Sequence, residues 1–425
     1  MLLPEGFDPR DLLPFGVHRY ADRVRVLVDR LLVGSVLGAH RGGMVPLSVR
    51  SMEDLFGGSD AWSKVRASLL DRHIITTDDS YWNGPDPKTK WYRLLAPWTG
   101  VPTRTHTIRD ARCARWLAQQ VADRPAREGW LPVHHRLNDW LARTTVDTPA
   151  AEPILAAMKP DLRHVADTVV KIVNGPGRLP TVDRFGFRFH SPITAMPKAL
   201  RAALRCDGMP LAEIDISACQ PYLLGLLCLA YPVHPSSLHP NHWGEERGRR
   251  PDSSLPAYSL LRASSLYIYQ ENAPSVQAPI PADLDDFLTA CSEDRYYETL
   301  AKRSRMRCRN HDERQKVKKF NCCLMYDVTR PDYRRWQSFA KRWPTVASRI
   351  ELLKRGDYRQ AAMELQRAES EIMIQGVCAD LMRDHPEMPI LTVHDCLLVP
   401  PAHAETARNA IRRRLDCFGY PVHLK

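Results

Sequence analysis

The segment TVHDCLLVP, residues 392–400, places a His-Asp pair between two short apolar runs and decides the fold of the C-terminal half. The β-branched residues and leucines on either side predict the two strands of a buried hairpin that prolines close at both ends. A carboxylate at the tip of such a hairpin is costly to keep ionised unless a cation or hydrogen bonds compensate its charge. We therefore expect Asp395 to have a partner elsewhere in the chain.

A second acidic residue follows a strand signal in LAEIDISACQPYLLGLLCLA, residues 211–230. LAEIDI predicts a buried strand that ends in a tight turn, and an apolar helix follows with Pro221 near its first position. Asp215 then lies near the C-terminal end of that strand, where its carboxylate and that of Asp395 can share divalent cations. Paired carboxylates also suit a glycosidase or a nuclease, so the pair alone does not select a reaction.

A third stretch, DERQKVKKFNCCLMYD at 312–327, predicts a helix with one chemically distinctive face. The members of this face recur every four residues and are Arg314, Lys318, Cys322 and Tyr326. Two cations followed by an amide, Asn321, and a phenol are unsuited to the buried face of a helix. The pattern suits a nucleoside triphosphate laid along the helix, with the cations at the phosphates and the tyrosine at the nucleoside end.

These three motifs, in this order, resemble the polymerase core of family A DNA polymerases and, more distantly, of single-subunit phage and mitochondrial RNA polymerases. The resemblance covers about residues 174–400 and implies an α+β fold: a right-hand polymerase palm, in which helices accompany an antiparallel sheet, with helical fingers. The implied activity is template-directed nucleotidyl transfer by a compact DNA polymerase in DNA replication. Nothing in the rest of the chain resembles a proofreading exonuclease.

The resemblance also implies a catalytic centre. Two Mg²⁺ ions, for which Mn²⁺ can substitute, would be held by Asp215, Asp395 and the main-chain carbonyl of Ile216. Lys318 would donate a proton to the departing pyrophosphate, and Arg314 would hold its charge. The catalytic residues are therefore expected to be Asp215, Asp395 and Lys318.

The nucleotide-binding residues that the resemblance implies surround the α-helical motif and are Arg314, Lys318, Asn321, Cys322, Tyr326 and Gln220. Gln220 stands where the family has a glutamate that, with the tyrosine, screens out a ribose 2′-hydroxyl. Cys322 replaces the aromatic residue near the incoming base. Both departures leave the preference for deoxyribonucleotides open, and a primase or RNA polymerase on the same palm is the alternative enzyme.

The primer-template DNA is expected to contact several residues outside that helix. Two alignments compete for the element before the first aspartate: GRL at 177–179, which gives Arg178, and GFRFH, which gives Arg188 and His190. The second is slightly favoured, because SPITAMPKALR runs unbroken from it toward the aspartate strand. Further contacts implied by the resemblance are Arg367, Gln375 and His394.

The N-terminal region has the element order of a winged helix. Residues 20–98 predict helices followed by two strands around an NGPDPKTK turn, with cations available for phosphates at Lys64, Arg66, Lys88, Lys90 and Arg93. Such a domain binds nucleic acid or recruits another protein, here a replication protein.

The predicted domains are a winged-helix-like domain over 1–100, a helical, thumb-like or linking region over 101–173, and the palm and fingers over 174–425. An exposed insertion is expected at about 231–290. A non-catalytic DNA-binding replication initiator that keeps a degenerate palm is the alternative from another class of protein.

Composition is compatible with these expectations. Lys and Arg total 60 against 49 Asp and Glu, giving a formal net charge of +11 that favours a polyanionic partner. No apolar run is long enough to span a membrane, and the first residues lack the pattern of a signal peptide. Eleven cysteines scattered through apolar segments suit a reducing compartment, so a cytoplasmic location without membrane contact is expected.

Overall fold

The structure is a computed structural model, and the residues it describes are 1–38, 41–78, 89–175, 180–230, 279–416 and 419–425. Its architecture is mixed α+β, with helices and small antiparallel sheets, which confirms the predicted class. The chain divides into two compact units. The first comprises Met1–Leu131, Asn138–Thr181 and His190–Leu211; the second comprises Pro132–Leu137, Val182–Phe189 and Ala212–Lys425.

The strands, in chain order, are β1 (Leu2–Pro4), β2 (Val45–Ser48), β3 (Ile75–Thr77), β4 (Thr89–Leu94), β5 (Thr103–Thr105), β6 (Thr144–Val146), β7 (Thr181–Val182), β8 (Phe189–His190), β9 (Leu204–Cys206), β10 (Met209–Pro210), β11 (Ala212–Asp215), β12 (Leu391–Val393) and β13 (Cys396–Val399).

The helices are α1 (Pro9–Leu12), α2 (Ala21–Leu37), α3 (Val49–Phe56), α4 (Ser59–Asp71), α5 (Ala111–Glu128), α6 (Pro132–Ala142), α7 (Thr148–Ala156), α8 (Pro160–Asn174), α9 (Cys219–Ala230), α10 (Ala282–Ser292), α11 (Tyr296–Arg303), α12 (His311–Tyr326), α13 (Arg334–Arg342), α14 (Pro344–Leu353), α15 (Arg359–Ser370), α16 (Ala379–Asp384) and α17 (Ala404–Leu415). The π-helical segment Glu371–Cys378 joins α15 to α16. Shorter 3₁₀ turns cover Phe15–Tyr20, Arg41–Gly43, Pro192–Ala195, Lys198–Ala203 and Pro401–His403.

After β1 and α1, the first unit continues with helix α2, strand β2, helices α3 and α4, and strands β3 and β4. The three strands form an antiparallel sheet in the order β2-β4-β3. Apolar residues of the helices and of β4 fill the core beside this sheet, among them Leu27, Val28, Phe56, Trp62 and Tyr92. The two strands predicted around the NGPDPKTK turn are confirmed, while residues 79–88, including Lys88, lie outside the described part.

The compact units do not follow the predicted domain boundaries. Helices α5, α7 and α8 belong to the same unit as residues 1–100, and Ile172 of α8 is part of the N-terminal core. The unit also contains the sheet β10-β9-β6 and continues to Leu211. The predicted boundaries after residues 100 and 173 therefore do not coincide with boundaries of the structure.

The second unit is organised around the sheet β11-β13-β12. Strands β12 and β13 form an antiparallel hairpin whose two connecting residues are His394 and Asp395, and β11 pairs with the other side of β13. His394 has a left-handed backbone, with φ of 58°, which lets the chain reverse within two residues. The predicted hairpin and its neighbouring strand are confirmed, and the strands are buried because they are almost wholly apolar.

Helix α12 begins where the sequence supplies a cap. The Asn310 side chain accepts a hydrogen bond of 2.9 Å from the Glu313 N–H group. Asp312 and Glu313 lie in the first turn, where negative charge stabilises the positive end of the helix dipole. The helix continues without interruption to Tyr326, so the four-residue repeat predicted for one of its faces lies on a continuous helix.

Helix α10 corrects one sequence-based expectation. Residues 282–290 were expected to belong to an exposed insertion, but α10 packs against α9 and buries Leu284, Phe287 and Leu288. Its short apolar pattern was overlooked because it follows a long Pro- and Arg-rich stretch. Most of that stretch, residues 231–278, lies outside the described part.

Gly225 allows α9 and α10 to approach closely. A Cβ atom at this position would lie 2.5 Å from Leu288 Cδ2 and 3.3 Å from Phe287 Cδ1. Because both neighbours are fully buried, we expect Gly225→Ala to lower the free energy of unfolding by about 1–3 kcal/mol, measured by urea denaturation. Gly16→Ala, where a Cβ meets nothing within 4 Å, is the control. Unchanged stability of Gly225→Ala would contradict this packing.

Candidate functional site

The sheet of the second unit brings the two predicted aspartates together. Asp215 is the last residue of β11 and pairs with Cys396 of β13. Asp395 is the residue immediately before Cys396. Extending this register by one residue brings Ile216 opposite Asp395. The Asp215 and Ser217 N–H groups donate to the carbonyls of residues 425 and 423, at 3.2 and 2.9 Å. The Ile216 carbonyl of the intervening residue therefore faces the opposite side, toward Asp395.

A third carboxylate, Glu369, lies beside them. Glu369 on α15 is 2% exposed. Burial, followed by the charges of Glu369 and Asp215, raises the pKa of Asp395 to about 8. Sequence reasoning missed Glu369, although it follows buried Leu365 by four residues and therefore shares the apolar face of its helix. A charged residue on that face was the signal that could have found it.

Arg188 and Gln220 both donate hydrogen bonds to the carboxylate of Glu369. The Arg188 Nε and Nη2 atoms donate to Glu369 Oε1 and Oε2, each at 2.8 Å, and form a bidentate ion pair. The Gln220 side-chain amide donates to Oε2 of the same carboxylate, and the Tyr326 hydroxyl donates to Gln220 Oε1 at 3.0 Å. The four side chains form one continuous chain of hydrogen bonds.

The donor set at the aspartates fits a hard divalent cation. Among the described residues, no group of three or more His, Cys, Asp or Glu side chains is arranged as a metal site. Two carboxylates and a main-chain carbonyl nevertheless supply only oxygen atoms, and Mg²⁺ commonly takes one or two carboxylates and completes its shell with water and substrate phosphates. Burial and the neighbouring carboxylates disfavour the ionised form of Asp395, and a bound cation would relieve that cost.

Both cations of α12 lie within cation–π distance of an aromatic ring that the sequence analysis did not single out. Arg314 Cζ and Lys318 Nζ lie 5.4 and 5.5 Å from the Tyr297 ring centroid. Arg314 also donates to Asp294 at 3.1 Å and to Glu298. Sequence reasoning missed all three of these partners, because none belongs to a motif and each lies before α12 in the chain.

Asp294 joins Arg314 to two further groups. Burial raises the pKa of Asp294, but hydrogen bonds from the Ser217 hydroxyl and the Lys425 ammonium group, with the nearby Arg314 charge, lower it below its ordinary value overall. The Lys425 Nζ atom lies 2.9 Å from Asp294 Oδ2. Asp294 is therefore ionised and neutralises part of the positive charge that α12 carries.

Asn321 does not lie where the sequence placed it. Its side chain is 4% exposed, accepts a hydrogen bond of 2.7 Å from the Tyr296 hydroxyl, and directs its Nδ2 atom to Met325 Sδ at 3.3 Å. Asn321 thus contributes to the packing of α11 on α12. Cys322, the next residue, is exposed, as its place beside the base would require.

The predicted primer-template residues have different surroundings. Arg367 donates to the main-chain carbonyls of Phe185 and Arg184, at 3.0 and 3.2 Å, and lies over the Phe187 ring. Together with Arg188, it anchors the segment 182–189 to α15. Both guanidinium groups therefore have partners within the protein.

The other predicted contacts are placed separately. Gln375 is exposed on the segment that joins α15 to α16, and His394 lies in the hairpin turn next to Asp395. His190 is in β8 and belongs to the first compact unit. Arg178 lies outside the described residues.

The basic residues of the N-terminal unit also differ from one another. Lys64 is exposed on α4, whereas Lys90 is 9% exposed. Arg66 donates to the Tyr92 hydroxyl at 2.9 Å, and exposed Arg93 donates to the Gly42 carbonyl at 3.3 Å. Lys90 is therefore poorly placed for phosphate contact, contrary to expectation.

Comparison with known proteins gives no assignment: no protein-family model matches the chain, and no curated protein is significantly similar to it. Within the described residues, no helix is both long enough and apolar enough to cross a membrane. The arrangement of side chains in the second unit therefore carries the functional interpretation.

The buried charge at Asp395 predicts how metal-free stability depends on pH. With its pKa raised from 3.8 to about 8, the folded protein retains a proton between about pH 4 and pH 8 that the unfolded chain releases. Asp395 therefore lowers stability progressively as pH rises through this window. In EDTA at pH 8, we expect Asp395→Asn to raise the free energy of unfolding by about 2 kcal/mol, measured by urea denaturation.

The same titration with exposed Asp332→Asn serves as the control. At pH 4 the advantage of Asp395→Asn should nearly vanish, because the folded-state carboxyl is then protonated and the unfolded-state carboxyl is close to its midpoint of 3.8. An advantage that is equal at pH 4 and pH 8 would show that burial of this charge is not its source.

Proposed function

We propose that this chain is a template-directed nucleotidyltransferase, most simply a compact DNA polymerase of family A type that extends a primer without proofreading. The single observation that carries the proposal is the juxtaposition of Asp215, at the end of β11, with Asp395, in the turn that precedes the adjacent strand β13. The cationic helix α12 in the same unit supports it, because Tyr326 of that helix is bonded to Gln220 of α9, a few residues after the first aspartate.

In the proposed reaction, the primer 3′-hydroxyl attacks the α-phosphorus of a nucleoside triphosphate. A new P–O bond forms, and the bond to pyrophosphate breaks in line with it. Divalent cations bound by Asp215, Ile216 and Asp395 would acidify the hydroxyl and neutralise charge on the phosphates. Lys318 donates a proton to the leaving pyrophosphate, which lowers the cost of its developing charge.

The Arg314 guanidinium contacts Asp294 and Glu298. On binding a triphosphate, Arg314 exchanges these two contacts for contacts with the phosphates. A triphosphate presents more negative charge than these two partly exposed carboxylates, and it forms stronger charge-assisted hydrogen bonds with arginine. The two carboxylates orient the Arg314 guanidinium, and a bound triphosphate displaces them from it.

The N-terminal unit supports a role on nucleic acid. Its helix, strand, helix, helix, strand, strand order and the β2-β4-β3 sheet suit the proposed winged helix. Exposed Lys64 and Arg93 are the available phosphate contacts in its described residues. A winged helix that recruits a replication protein is the alternative for this unit.

A second candidate function is RNA polymerase or primase activity on the same palm, which Gln220 favours. Both candidates are tested by supplying the full-length protein with Mg²⁺ or Mn²⁺, a labelled primer on a DNA or RNA template, and deoxy- or ribonucleotides. We expect extension by the nucleotide that the template specifies. Synthesis on an unprimed template would favour a primase, and no incorporation under any condition would favour the non-catalytic initiator.

A further inference from the structure

We infer that Glu369 is a positioning residue that sets the sugar specificity of the nucleotide site by holding Gln220 and, through it, Tyr326. The inference rests on the proposed function and concerns the substrate class that the site selects. It is carried by the hydrogen-bond chain from Arg188 to Tyr326, in which each side chain restricts the orientation of the next.

Glu369 is a fixed point in this chain. Its side chain is 3% exposed, and the bidentate contact with Arg188 holds its plane. Gln220 adds a further donor to Oε2, so both carboxylate oxygens have protein partners. This leaves Glu369 a poor candidate for a third metal ligand and a good anchor for neighbouring side chains.

Glu369 determines which way the Gln220 amide faces. A carboxylate only accepts hydrogen bonds, so Gln220 must direct its NH₂ group toward Glu369 and its Oε1 atom toward Tyr326. A glutamate at position 220 would instead place a second carboxylate against Glu369 with no proton between them. The glutamine that departs from the family pattern is thereby explained: the amide retains a link to the tyrosine while avoiding repulsion from Glu369.

Tyr326 is the residue through which this hydrogen-bond chain would act on the bound nucleoside. It lies eight residues after Lys318 on α12, or about 12 Å along the helix axis, which is comparable to the distance from the outer phosphates to the sugar of a bound triphosphate. Burial raises the pKa of Tyr326, so the hydroxyl stays protonated and donates a hydrogen bond to Gln220 Oε1. A tyrosine held in one orientation discriminates between sugars with and without a 2′-hydroxyl.

The test is the ratio of kcat/KM for a deoxyribonucleotide to that for the matching ribonucleotide, measured by single-nucleotide extension with the full-length protein. We expect the wild-type ratio to differ from one by at least about tenfold, and Glu369→Gln to move it at least about fivefold toward one. Glu364→Gln, the same change at a half-buried position on the same helix, should leave the ratio unchanged.

A second variant guards against misfolding, since Glu369→Gln leaves Arg188 without its counter-ion. Gln220→Met retains the ion pair and should give the same collapse of the ratio. If Glu369 acts through Gln220, adding Glu369→Gln to Gln220→Met changes the ratio no further. Additive effects, or a wild-type ratio near one, would overturn the inference while leaving the polymerase proposal intact. Absence of any incorporation would instead refute the proposed function.

Discussion

Asp215→Asn and Asp395→Asn should each lower the rate of primer extension by about a thousandfold or more while leaving primer-template affinity within about twofold. Each substitution removes one carboxylate from the site between β11 and the hairpin turn, where we propose that divalent cations bind. We expect DNA affinity to be spared because it would come from many phosphate contacts elsewhere. Single-turnover extension and equilibrium binding measure the two quantities separately.

Asp332→Asn, at an exposed position in the same unit, is the matched control and should retain full activity. If either active-site variant extended a primer at the wild-type rate, the shared cation site would be refuted. If both lost DNA affinity in proportion to rate, the aspartates would have a structural role instead.

Replacement of Lys318 is the second change with a large expected effect. Lys318→Met removes the proposed proton donor for pyrophosphate, and we expect kcat to fall by about 10²–10⁴-fold. Pre-steady-state rates at saturating nucleotide provide this measurement.

Lys319→Met removes a neighbouring exposed lysine from the same helix and controls for the change in net charge. A similar loss in both variants would indicate that only overall charge matters. A higher KM with unchanged kcat in Lys318→Met would assign Lys318 to binding alone.

Local sequence pattern predicted the parts of the site that lie on regular elements. The two short apolar runs that flank His394 and Asp395 predict the strands of a hairpin. The apolar segment LAEIDI predicts another buried strand, which can pair with that hairpin. The face that ends at Tyr326 was predicted because its residues recur at the four-residue spacing of a helix. In each case the signal lies within about fifteen consecutive residues.

Contacts between distant segments were not predictable in the same way. Asp294, Tyr297 and Glu298 reach α12 by packing of α11, and no local pattern indicates that packing. Asn321 was misplaced for a related reason: its helical position borders the nucleotide face, and only the buried Tyr296 hydroxyl shows that it turns inward. The burial of Glu369 could be predicted only by knowing that Arg188, far earlier in the chain, forms an ion pair with it.

The most direct test of the central claim is to locate Mn²⁺ by anomalous X-ray diffraction in crystals of the protein with a primer-template and a non-hydrolysable nucleoside triphosphate. We expect two Mn²⁺ ions about 3.5–4 Å apart, both within coordinating distance of the carboxylates of Asp215 and Asp395. Nucleotide bound along α12 with no Mn²⁺ at these carboxylates would contradict the account.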